Sequence, residues 1–165
     1  MGDGGGPSGT GFRAPGDSGV ISGEYRHAMD EKGRLMVPAP IRRSIAGNLV
    51  VLTRAIDRCL WLFAPEEWTA VSTKLTGSSS LFLARDRMLG RRFLAPAQEI
   101  EIDRSGRIAI PPTLRNYAGL HKDCIVLGIN SYVEVWDEET YRAYEVETDD
   151  QYKEAAEEIG GSITL

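Results

Sequence analysis

Apolar residues in this chain come in short runs that recur in the same order twice. Residues 23–29 and 96–102 read as strand-length segments. Each leads into an Asp-x-x-Gly turn. A second short run follows, Leu35-Met36-Val37 or Ile108-Ala109-Ile110, predicted to return as the other arm of a hairpin. Pro38 and Pro111 stop those strands and suit a helix's first turn, so short helices are expected over 38–45 and 111–117. Gly47 and Gly119 are candidate stops. Hairpins then pair 49–53 with 59–63 and 124–129 with 132–136. Segments 65–76 and 78–92 look helical, the second capped by Ser78, Ser79 or Ser80. Residues 137–159 are expected to form one helix from Asp137 to the Gly160-Gly161 pair, its apolar face drawn partly from Tyr141, Tyr144, Tyr152 and Ile159.

The recurrence is an internal repeat. Residues 30–42 read DEKGRLMVPAPIR and residues 103–115 read DRSGRIAIPPTLR, at a constant offset of 73. Asp30/Asp103, Gly33/Gly106, Arg34/Arg107, Pro38/Pro111 and Arg42/Arg115 are identical pairs, and Leu35/Ile108, Val37/Ile110 and Ile41/Leu114 keep aliphatic character. A unit with so few strands is marginal alone. Interleaving the copies lets each cover the other's edge strands.

Composition narrows the function. The 165 residues are 42% hydrophobic, which suits a globular protein, and no run approaches a membrane span. Residues 1–19 are rich in Gly, Pro and Ser without the apolar stretch of a signal peptide, and are expected to be a disordered tail. Cys59 and Cys124 sit in apolar runs, with no spacing that suggests a metal site or a disulfide. The net charge of −5 hides an asymmetry: residues 137–158 hold ten acids against two bases, which leaves the rest of the chain positive. Within residues 26–43, Arg26, Lys32, Arg34, Arg42 and Arg43 stand against only Asp30 and Glu31. A basic loop can bind DNA beside an acidic helix because fields decay within ~10 Å in salt.

Arg34, on a tight turn, can make a bidentate bond to guanine, or it can staple the turn through Asp30. Arg107 has the same chemistry among more acids, so a structural role is expected for Asp103 and Arg107. Lys32, Arg26, Arg42 and Arg43 suit phosphate contacts. A structural ion pair shared with its counterpart Arg115 would equally explain Arg42. Arg85, Arg87, Arg91 and Arg92 form a second basic cluster whose default reading is a solvated helix face. No nucleophile elbow, phosphate loop or zinc motif is present, and Asp30 and Asp103 beside arginines are poor general acids, so no enzyme, cofactor or small-molecule substrate is expected.

The D-x-K-G-R-L-x-x-P-x-x-x-R string at residues 30–42 resembles the AbrB/SpoVT superfamily of swapped-hairpin modules. Two copies, the Gly23-x-Tyr25 start and the Ala97-x-Glu99 lead-in to Asp103 narrow the resemblance to the MraZ family. It implies an α+β, mainly β fold, with two tandem modules forming an intertwined pseudo-symmetric β-barrel and flanking helices. The expected divisions are a tail (1–20), repeat 1 (22–68), a helical linker (69–95), repeat 2 (96–141) and an acidic C-terminal helix and tail (142–165). It also implies a cytoplasmic, nucleoid-associated repressor. Such a protein assembles as a ring and binds direct repeats of double-stranded DNA upstream of its own division and cell-wall operon. The signature falls on Asp30, Gly33, Arg34, Asp103, Gly106 and Arg107. The competing class is a protein-interaction or antitoxin-like module.

Overall fold

The computed structural model describes residues 21–163, so the expected tail at 1–20 lies outside the described residues. The first half runs β1 (Ile21–Ala28), β2 (Arg34–Met36), α1 (Ala39–Arg43), β3 (Leu49–Arg54), β4 (Leu60–Phe63) and α2 (Pro65–Gly77). After α3 (Ala84–Leu89) and a π-helical turn at Gly90–Leu94, the second half repeats the series as β5 (Gln98–Glu101), β6 (Arg107–Ala109), α4 (Pro112–Ala118), β7 (Asp123–Asn130), β8 (Tyr132–Asp137) and α5 (Glu138–Glu147). Helix α6 (Asp149–Gly160) follows.

The β3–β4 and β7–β8 hairpins form as expected. Asn130, at φ 59°, opens the tight turn between β7 and β8, a conformation asparagine tolerates better than most residues. The expected hairpins of β1 with β2 and β5 with β6 do not form. β1 pairs with β7 from Ile21 opposite Asn130 to Ala28 opposite Asp123. β5 pairs with β3. β4 joins β8, which gives one antiparallel sheet in the order β1-β7-β8-β4-β3-β5. Each half therefore lends its first strand to the edge of the other's hairpin. β2 and β6 pair with each other as a separate two-stranded ribbon. Both ribbon strands are three residues long, and Pro38 and Pro111 close them off two residues further on. The sheet is also an open order with β1 and β5 at its ends, not the closed barrel expected.

The core draws on both halves. Leu35, Ile41, Leu52 and Leu62 pack with Ile108, Leu114, Val126 and Val135 in one buried cluster. On the opposite face of the sheet, Ile125, Cys59 and Trp136 form a smaller cluster covered by Tyr141 and Tyr144 of α5. Burial pushes the Cys124 thiol up to about 12 and raises that of Cys59 as well, so both cysteines sit as neutral packing groups.

Two helix expectations need correction. Residues 137–159 split at Thr148, whose hydroxyl donates to the Tyr144 carbonyl (2.7 Å) at the end of α5. As a result Tyr141 meets Trp136 edge-on and Tyr144 packs against it at a tilt, whereas Tyr152 and Ile159 of α6 are exposed. Asp137 does cap α5, accepting from the Thr140 N–H (3.3 Å). No serine caps α3; instead Asp86 reaches back to accept from the Ser80 N–H (2.8 Å).

Candidate nucleic-acid interface

Each signature turn is built around its aspartate. Oδ1 of Asp30 accepts from the backbone N–H groups of Lys32 and Arg34, both at 2.9 Å. Oδ1 of Asp103 accepts from those of Ser105 (2.8 Å) and Arg107 (2.9 Å). Gly33 (φ 77°) and Gly106 (φ 85°) close the turns in the left-handed region. These hydrogen bonds, from the arginine N–H above all, hold both carboxyls below the usual carboxylate range.

The ribbon brings the two turns together. Leu35 lies opposite Ile108, and both face the core at 1% exposure. Alternation then puts Arg34, opposite Ala109, and Arg107, opposite Met36, on the solvent side of the same ribbon. Asp30 links them: its Oδ2 lies 2.7 Å from Arg34 Nε and 3.6 Å from Arg107 Nη1. Arg107 Nε approaches Asp103 at 3.4 Å but is buried without a hydrogen-bond partner among the described residues. The two arginines thus lie side by side on one ribbon face, linked through Asp30. A two-stranded ribbon of this kind has the dimensions to enter a major groove, and a guanidinium on it can bond guanine O6 and N7.

The remaining predicted residues divide. Lys32 is exposed at the tip of the first turn, and Arg43 is exposed in the last turn of α1. Arg42 lies behind the site: its Nε donates to the Val37 carbonyl (2.9 Å), and its guanidinium packs against Gly106 of the other half. Arg115 does the same with Ile110 (2.9 Å) and Gly33. The symmetry expected of this pair is present, but it comes from backbone hydrogen bonds and packing instead of ion pairs. Arg26 is engaged elsewhere, by Glu138 and Asp123, and the Glu138 hydrogen bond raises its pKa. Arg104 was overlooked in the sequence. It is exposed on the second turn at the position Glu31 holds on the first, and that charge reversal at the 73-residue offset was the available signal.

Two equivalent halves, interleaved through one sheet and presenting a shared arginine ribbon, define a tandem-repeat protein in which neither half completes the site alone. Comparison with known proteins bears on both halves. The profile described as "MraZ protein, putative antitoxin-like" matches residues 20–92 and again 93–160. The protein from Treponema denticola named transcriptional regulator MraZ is 45% identical over 140 residues, covering 85% of this chain and 97% of its own. Its namesakes from Symbiobacterium thermophilum and Natranaerobius thermophilus are 42% and 37% identical, covering 84% and 85% of this chain and 99% and 96% of their own. The chain belongs to the MraZ family of transcriptional regulators. No helix among the described residues is long and apolar enough to cross a membrane.

Proposed function

We propose that this chain is a sequence-specific DNA-binding repressor that sets the solvent face of the β2–β6 ribbon into the major groove of promoter direct repeats, upstream of its own division and cell-wall operon. The placement of Arg34 and Arg107 on one ribbon face, both within reach of Asp30, carries this reading. Asp30 pre-orients the guanidinium groups before DNA arrives, which lowers the ordering cost of binding. Lys32, Arg104 and Arg43 supply phosphate contacts. Arg42 acts indirectly by supporting the second turn, and Arg26 is spent on α5. The protein works in the cytoplasm on the nucleoid and self-assembles, so that several ribbons engage successive repeats and weak contacts multiply.

Titration of variants on promoter and scrambled DNA tests this. Arg34→Ala and Arg107→Ala each remove a bidentate contact of about 1–3 kcal/mol and are expected to lose promoter preference to a similar degree. Lys32→Ala is expected to weaken both DNAs alike and reduce the salt slope by about one unit. Promoter binding at wild-type strength by both arginine variants sinks the ribbon reading. A wild-type chain that binds no DNA but captures a protein partner favours an interaction or antitoxin-like module instead.

A further inference from the structure

A cavity of about 820 Å³ opens between α2, α3 with its π-helical turn, and the loop after β3. Its walls are apolar, from Val71 and Leu75 on one side to Met88, Leu89 and Phe93 on the other. Ile56, part of the same lining, is 85% exposed. Its charge is of one sign: Arg54, Arg85 and Arg92 line it, with no acid among the lining residues. Arg54 stacks 5.0 Å over the Tyr117 ring, and its Nε is buried without a hydrogen-bond partner among the described residues. An apolar groove with an arginine rim suits an amphipathic helix whose polar side is acidic.

The chain carries such a helix. Tyr152, Ala155, Ala156 and Ile159 fall at i, i+3, i+4 and i+7 of α6, which places them along one side. Five acids and a single lysine occupy other positions of α6. By contrast, residues 85–92 hold four arginines and one aspartate. Every residue of α6 is exposed, including Tyr152 at 69% and Ile159 at 58%. Tyr141 and Tyr144 pin α5 to Trp136, and the helix breaks at Thr148, so α6 stands off the body of its own chain.

We propose that α6 of one copy docks in the arginine-rimmed groove of a second copy, joining chains head to tail. This deepens the self-assembly named above by assigning its surface. Each chain offers one helix and one groove, so the contact is heterologous and propagates until it closes on itself.

Light scattering on the full chain tests this with two surface variants. Tyr152→Ser/Ile159→Ser strips the helix, and Met88→Glu/Arg92→Glu closes the groove. The positions changed are solvent-exposed, and circular dichroism checks that each variant folds. Glu154→Lys/Glu157→Lys gives an independent second test of the helix. The wild type is expected to be an assembly, and each variant alone is expected to fall to the mass of one chain. An equimolar mixture of the helix-stripped and groove-closed variants is expected to form pairs and nothing larger, because it holds only one intact helix and one intact groove. A wild-type assembly whose mass the variants do not change, or a mixture that gives no pairs, overturns the α6–groove contact while self-assembly stands. A monomeric wild type overturns both.

Discussion

Gly33 and Gly106 are held by two separate constraints. Each sits at positive φ, and a Cβ on Gly33 would lie 2.7 Å from Arg115 Cζ, as one on Gly106 would lie 2.5 Å from Arg42 Nη1. Each arginine comes from the half that does not own the glycine it covers. Gly33→Ala is expected to cost about 1–3 kcal/mol in urea unfolding, from backbone strain plus the clash. Arg115→Ala added to it removes the clash, so the double variant should lose less than the sum of the two single losses. Simple additivity would mean that the arginine does not pack on the turn. Asp30 differs in kind: it orders its own turn and orients both arginines, so its charge serves the site more than the core.

The ribbon is the smallest element here and the most dependent on its surroundings. Two strands of three residues do not persist in water by themselves. What fixes this pair is the burial of Leu35 and Ile108, opposite each other, within the main core. Ile108→Ala is therefore expected to destabilise the whole chain by about 2–5 kcal/mol, as at other well-packed core sites. A loss below roughly 1 kcal/mol in the same unfolding assay would show the ribbon to be only loosely attached. α5 and α6 illustrate the converse: similar acidic composition gives one helix docked through two tyrosines and another left in solvent.

At the scale of the molecule, the halves are mutually dependent. β1 hydrogen-bonds β7 along eight residues, and β5 finds its partner in β3. Residues 93–160 expressed alone would leave β7 with an open edge and β5 without a partner. Such a fragment is expected to be unfolded, or to pair with a second copy of itself, by circular dichroism and light scattering. Adding residues 20–92 should restore the native spectrum. A monomeric fragment with a sharp, cooperative melt would contradict the interleaving.

The repeat, the Asp-x-x-Gly-Arg turns and the two long hairpins were all legible in the sequence. All of these rest on local chemistry: a positive-φ glycine, an aspartate two to four residues from the amides it accepts, and alternation along a strand. Arg26 suited a phosphate contact and Arg42 either that or a structural ion pair, yet one is ion-paired to α5 and the other props up the opposite turn through packing and a backbone hydrogen bond. Strand partnership was equally hidden. A short apolar strand fits any neighbouring edge, and only competition among all the edges sends β1 to β7 and leaves β2 for β6. Both signature arginines reach a common face only through that pairing, so it took the tertiary structure to set two repeated motifs side by side.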